Sequence, residues 1–210
     1  MPTFTVVAGA NGAGKSTLTR LGREGFQDSA VLDPDAIARS MRETSTDPNS
    51  TIDTGRNVLQ MAEELLAGRQ SFLVETTLSG NTDLRMMDRA KSLGYTVVLI
   101  YIGTTDVTLN MQRIRNRVQE GGHDVPEKDQ LRRYPRSFAN LKKAFALADE
   151  AALFDNSTRG SNSLSHCRSG RRGCAARPQW SISIGVPSGT RRANSSISGL
   201  VSAMHPSVQS

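Results

Sequence analysis

Only two cysteines occur in the 210 residues, Cys167 and Cys174. They supply neither a disulfide framework nor a metal-ligand pattern. No run of about twenty apolar residues is present, so no helix is expected to span a membrane. The N-terminus has no basic start and its apolar run is short. No secretory signal is therefore expected, and a cytoplasmic setting is the simplest one. No internal repeat is visible. An Asn-Lys-x-Asp guanine motif is missing, which argues against a GTPase, and the absence of an ABC-type signature argues against that class of ATPase.

Acidic residues and lysine are missing from one region. From Gly160 to Ser210 there are six arginines but no Lys, Asp or Glu. The preceding residues hold 20 basic and 20 acidic side chains, so the whole net charge of +6 sits in the last 51 residues. A neutral body speaks against nucleic acid as the partner. The same segment holds 13 serines and the only tryptophan, Trp180. Two readings fit it: a disordered basic extension, or an out-of-frame translation of a GC-rich gene. Neither would bury enough apolar surface to offset the cost of ordering. The alternating Trp180-Ser181-Ile182-Ser183-Ile184 leaves open a sixth strand. The expected organisation is one domain over residues 1–157 and a Ser/Arg-rich tail over 158–210.

What is present is a phosphate-binding loop, Gly9-Ala10-Asn11-Gly12-Ala13-Gly14-Lys15-Ser16, followed by Thr17. It fits G-x-x-x-x-G-K-[ST]. Glycines let successive backbone N–H groups turn inward as an anion-binding concavity. The helix that starts near Lys15 adds its partly positive N-terminus. Lys15 reaches the outer phosphates, and the Ser16 hydroxyl suits Mg²⁺. A β-rich run, Phe4 to Ala8, leads into the loop. ATP and Mg²⁺ are thus the expected cofactors.

The rest of the chain alternates strand and helix. Strands are expected at 30–32, 71–74, 95–102 and 151–154. Helices are expected at 15–23, 36–42, from 53 or 54 to 67, 82–93, 105–118 and 127–148. In these, Val58, Met61 and Leu65 share a face, as do Val107, Met111, Ile114 and Val118. In the last helix Leu131, Tyr134, Phe138, Leu141 and Phe145 are expected to point inward, with a kink at Pro135. This alternation implies an α/β fold with a mostly parallel, five-stranded sheet. Right-handed crossovers then bring the loop, Asp35, Glu75 and the Gly103 region to one sheet edge.

Several side chains could do chemistry there. Asp35 ends the segment after the second strand. It could take the proton of an attacking hydroxyl, or simply cap a helix. Asp33 is one step away and would point elsewhere. Glu75 follows a buried strand and could hold substrate hydroxyls, hold the metal through water, or pair with an arginine. Thr76 and Thr77 could add hydroxyl contacts. Arg113, Arg115 and Arg117, with Arg132, Arg133 and Arg136 beyond the Gly121-Gly122 hinge, could clamp a transferring phosphate or lie on solvated faces. His123 has no Cys or His companion, which rules out a metal role for it.

The ordered set of motifs resembles the compact chromosomal branch of the zeta toxin family. The motifs are G-A-N-G-A-G-K-S-T, L-D-P-D-A-I-A, F-L-V-E-T-T-L-S-G, R-V-Q-E-G-G-H-D-V-P, R-R-Y-P-R-S and F-D-N-S. The resemblance runs from about Pro2 to Ser157. It implies a P-loop kinase-like three-layer α/β/α sandwich that transfers the γ-phosphate of ATP to a hydroxyl, in toxin members that of a UDP-N-acetyl sugar. By motif, Asp35 matches the base, and Glu75 the acid of the substrate strand, with Thr77 beside it. Lys15 and Ser16 match the phosphate and Mg²⁺ ligands. Arg115 and Arg117 match the helix that carries phosphate-clamping arginines, and His123 stands where an Arg would align. The partners implied are a nucleotide, a small-molecule acceptor and a protein antitoxin. Another P-loop kinase, such as a polynucleotide kinase, and a regulatory ATP-binding protein without transfer are the alternative readings.

Overall fold

The structure is a computed structural model, and it describes residues 1–26, 29–34, 36–38, 50–158 and 161–168. The strands are β1 (Thr3–Ala8), β2 (Ala30–Leu32), β3 (Phe72–Thr76), β4 (Thr96–Gly103), β5 (Glu150–Thr158) and β6 (Ser161–Arg168). The helices treated below are α1 (Lys15–Leu21), α2 (Ser50–Ala67), α3 (Thr82–Ser92), α4 (Val107–Gln119) and α5 (Glu127–Leu147). A 3-10 turn, Arg23–Phe26, follows α1.

The sheet order is β2-β3-β1-β4-β5-β6. The first five strands run parallel. Their side chains alternate between two cores, as the period of two demands. Val97, Leu99 and Tyr101 face one side with Phe4, Val6, Phe72 and Val74, under Val58, Ala62 and Leu66 of α2 and Leu84 and Met87 of α3. Val98, Ile100 and Ile102 face the other side with Val7, Leu73 and Leu18 of α1. Helices thus cover both faces, giving the three-layer α/β/α sandwich. This is why the β4 segment reads as a continuous apolar run. The Phe4 and Phe72 rings stack at 4.5 Å, adding a directional contact to burial.

The sheet does not end at residue 157. β5 runs on to Thr158, and β6 pairs with it antiparallel, within the segment read as tail. Strand pairing is a backbone interaction, and β5 would otherwise present a row of unpaired N–H and C=O groups. A composition without acids or lysine does not prevent that pairing. Trp180 to Ile184, where the alternation left open a sixth strand, lies outside the described residues.

The helix faces also differ from the sequence pattern. Among the described side chains of α2, Val58, Ala62 and Leu66 are buried, while Met61 is exposed. On α4, Met111 and Ile114 are buried but Val118 is exposed. On α5 the expected inward residues Leu131, Phe138 and Phe145 are exposed, and Gln130, Ser137, Asn140, Leu141 and Ala144 are buried. The polar members have partners. Asn140 Nδ2 donates to the Leu78 and Gly80 carbonyls, Gln130 Nε2 to the Val125 carbonyl, and Ser137 shares a hydrogen bond with the Tyr101 hydroxyl. α5 is one continuous helix through Pro135.

Candidate functional site: a phosphate-binding cleft

β1 lies between β3 and β4, so the chain reverses its direction of sheet growth there. A crevice opens at the C-terminal ends of strands around such a switch point. The Gly9–Thr17 loop leaves β1 at this place. Gly9 has φ 148°, and a Cβ there would stand 2.2 Å from the Ile102 carbonyl oxygen. Only glycine allows β1 to hand the chain over so close to the end of β4. The cleft has a volume of about 1010 Å³. Its lining includes Asn11, Gly12, Gly14, Lys15, Ser16 and Thr17 from the loop. Gly9, Ala10 and Ala13 stand behind them, and the Ala13 N–H donates to the Ala10 carbonyl.

Lys15 Nζ donates to the Gly9 and Ala10 carbonyls at 2.9 and 3.1 Å. Arg113 and Arg117 of α4 also line the cleft. Arg113 Nη2 donates to the Asn156 carbonyl at 2.8 Å, and Arg117 Nη2 to the His123 carbonyl at 2.7 Å. Each of these cations is therefore seated on a backbone carbonyl. Arg113 Nη1 and Arg117 Nε are buried without a partner. Unpaired buried donors carry a desolvation cost of about 1–3 kcal/mol each. An anion entering the cleft would relieve it.

Glu75 is buried near the end of β3 and accepts a hydrogen bond from the Ser16 hydroxyl, Oγ to Oε2, at 2.9 Å. Burial raises its carboxyl above the ordinary value. Hydrogen bonds from Thr19 and Ser16 act the other way, Asp33 adds to the rise, and Lys15 opposes it. Ser16 and Glu75 are the oxygen donors that Mg²⁺ accepts, and this ion commonly takes only one or two protein ligands beside phosphate and water. Among the described residues no group of three or more His, Cys, Asp or Glu could hold a metal by itself. The donor set thus fits a phosphate-bound Mg²⁺ rather than an all-protein cage.

The far half of the cleft is lined by Gly55, Arg56 and Leu59 of α2 and by Thr77, Thr82, Asp83 and Met86. Thr77 and Ser79 share a hydroxyl hydrogen bond at 2.9 Å. The Thr76 hydroxyl donates to Asp83 at 2.8 Å. Burial raises the Asp83 carboxyl, against the pull of Thr76.

Of the residues expected at the site, Lys15, Ser16, Thr17, Glu75, Thr77 and Arg117 meet in this cleft, with Asp33 beside them. Asp35 lies outside the described residues. Arg115 is placed elsewhere: its side chain is 68% exposed and faces Glu127 at 3.6 Å. Two positions from Arg113 on a helix is the wrong face, whereas Arg113 and Arg117 stand four apart. That spacing is the sequence signal that points to Arg113 rather than Arg115. Asp83 and Asn156 are further cleft residues that local sequence gave as a helix start and a strand end.

A glycine-shaped loop, a lysine and a hydroxyl at the switch point of a parallel sheet define a P-loop protein of kinase-like fold. The chain belongs to the zeta toxin family, whose model, described as "Zeta toxin", matches residues 1–161. It is 38% identical over 120 residues to an uncharacterised protein of Haemophilus influenzae, covering 57% of this chain and 83% of that one. Among solved structures, it is similar to one from the PezAT chromosomal toxin–antitoxin system of Streptococcus pneumoniae. There the TM-score is 0.56 at 18% identity, over 74% of this chain and 67% of that chain. It is also similar to a structure of AvrRxo1-ORF1:-ORF2 with ATP, at a TM-score of 0.62 and 15% identity, over 79% of this chain and 57% of that one. At these identities the structural likeness is one of fold.

Among the described residues no helix is long and apolar enough to cross a membrane.

Proposed function

We propose that the protein is an ATP- and Mg²⁺-dependent kinase that phosphorylates a hydroxyl of a small, nucleotide-linked metabolite such as a UDP-N-acetyl sugar. The observation that carries this is the cleft itself. A single cleft of about 1010 Å³ is lined by Lys15, Ser16, Glu75, Arg113 and Arg117 together with the acid- and hydroxyl-bearing Thr77, Thr82 and Asp83.

MgATP supplies the phosphoryl group when bound. The loop N–H groups and Lys15 hold the outer phosphates. The Ser16 hydroxyl donates a hydrogen bond to Glu75, which would leave the Ser16 oxygen lone pairs for the metal. Arg113 and Arg117 keep their carbonyl seats, turn their unpartnered Nη1 and Nε to phosphate oxygens, and offset the charge that develops during transfer. Asp35 accepts the proton of the acceptor hydroxyl as that oxygen bonds to the γ-phosphorus and the bond from that phosphorus to the bridging oxygen breaks, releasing ADP. Thr77 helps hold the acceptor, with Glu75 beside it. Most of the rate would come from positioning and electrostatics. Since a similar structure belongs to a toxin–antitoxin system, a protein antitoxin is the partner this reading favours.

The test is a screen of purified protein with radiolabelled ATP against UDP-sugars and a bacterial metabolite extract. Label should appear on an alcohol of one nucleotide-linked acceptor, and Lys15→Ala should abolish it. Label that appears only as free phosphate, at the same rate with and without every acceptor, would leave an ATPase rather than a kinase.

A further inference from the structure

Three parts of the cleft meet at Asn156, near the end of β5. Its side-chain Nδ2 donates to the Ala13 carbonyl in the phosphate loop at 2.9 Å, across 143 residues of sequence. Its main-chain carbonyl accepts from Arg113 Nη2 at 2.8 Å. A Cβ on Gly14 would stand 2.6 Å from the same Nδ2, so the glycine is what lets the amide lie against the loop. Arg113 keeps Nη1 buried and unpartnered in this arrangement.

Resting on the kinase reading above, we infer that Asn156 is a positioning residue for phosphate transfer. Its amide fixes the loop, and the same residue's carbonyl fixes Arg113 relative to that loop. The distance between the loop that grips the phosphates and the arginine that meets the transferring one is then set by a single side chain. A loop residue held only by its neighbours would leave that distance to thermal motion, and misplacement of such groups costs rate rather than binding. An aspartate has the shape of asparagine but lacks the N–H donor. It would set a carboxylate against the Ala13 carbonyl and draw Arg113 toward itself, so Asn156→Asp should be worse than Asn156→Ala.

The experiment uses the full chain with MgATP as the probe. It measures ATP turnover, MgATP affinity by calorimetry, and melting, for wild type, Asn156→Ala, Asn156→Asp, Arg113→Ala, the Asn156→Ala/Arg113→Ala pair and Lys15→Ala. Asn156→Ala should lower kcat by about tenfold or more with MgATP affinity held within about threefold, the pattern of an interaction used in the transition state. Asn156→Asp should fall further. The double variant should be no slower than Arg113→Ala by more than about twofold, because both changes remove one function. Additive losses, or losses that follow the melting temperature, would make Asn156 merely structural and overturn the proposal. So would wild-type kcat in both Asn156 variants while Lys15→Ala is dead, and that result would leave the kinase reading standing. A wild-type chain that binds no MgATP would overturn both.

Discussion

The two halves of the cleft are built in different ways. The phosphate half is mostly one stretch of chain, Gly9–Thr17, and much of its chemistry is backbone. Its cations rest on the carbonyls of Gly9, Ala10, Asn156 and His123. The rest of the lining, which the proposed function gives to the acceptor, gathers Arg56 and Leu59 from α2, Thr77 from the turn after β3, and Asp83 and Met86 from α3. Its chemistry is in side chains. A backbone cradle binds any phosphate, so it marks a reaction class; a wall of scattered side chains marks one acceptor. On the proposed function, the loop side therefore speaks to what is transferred, and the other side to what receives it.

Breaking the phosphate half should have the largest effect. Lys15→Ala removes the cation that faces the outer phosphates, and transfer should become undetectable while the melting temperature stays within a few degrees, because the loop is shaped by glycine. Near-wild-type ATP turnover would end the phosphate-loop reading. Arg117→Ala should cost about a hundredfold or more in kcat, the scale of losing one charge-stabilising donor, whereas Arg115→Ala, paired with Glu127 at the surface, should stay within about twofold of wild type. The reverse ranking would restore Arg115 as the clamp. At the proposed base, Asp35→Asn keeps size and much capping ability but no basic carboxylate. Transfer should fall by about a hundredfold, a usual scale for losing a general base, with ATP affinity nearly unchanged. Wild-type transfer by this variant would remove Asp35 from the mechanism and leave a cap worth about 1 kcal/mol or less.

The same contrast explains what could be read from residues alone. The loop and the five parallel strands were legible because contiguous patterns encode them: a fixed glycine spacing, and apolar runs such as 97–102. The faces of α5 were not. Apolar periodicity put Leu131, Phe138 and Phe145 inside, but the buried stripe is held by Gln130, Ser137 and Asn140, which satisfy carbonyls at Val125, Leu78 and Gly80 and the Tyr101 hydroxyl. The partners of Ser137 and Asn140 are distant in sequence, that of Gln130 lies just before the helix, and none leaves a periodic trace. Asn156 is the same case, since its partners are Ala13 and Arg113. Choosing among Arg113, Arg115 and Arg117 needed only helical geometry, which puts Arg115 on another face. β6 was missed because edge pairing asks for backbone rather than composition.

The smallest expected effect lies where the halves join, at Glu75, and it is one of stability. Burial raises this carboxyl above its ordinary value of 4.5. Between 4.5 and the raised value, the folded chain holds a proton that the unfolded chain has released. Stability attributable to Glu75 therefore falls as pH rises through that window, and stays reduced above it. Glu75→Gln has no charge to bury, and its amide oxygen can still accept from Ser16. The variant should melt higher than wild type at neutral pH, and the gap should close as pH drops below 4.5, where both states of the wild-type carboxyl are protonated. Asp83 titrates with the same sign in both proteins, so it cancels in the difference. Activity should move the other way: the variant should need more Mg²⁺ for half-maximal turnover, because a neutral amide attracts the ion less. Melting curves across pH, with a Mg²⁺ titration of turnover, separate the two effects. A variant less stable than wild type at neutral pH, or a gap that widens on acidification, would mean that Glu75 is compensated by a charge partner. A more stable variant with unchanged Mg²⁺ demand would place Glu75 with the acceptor instead of the metal.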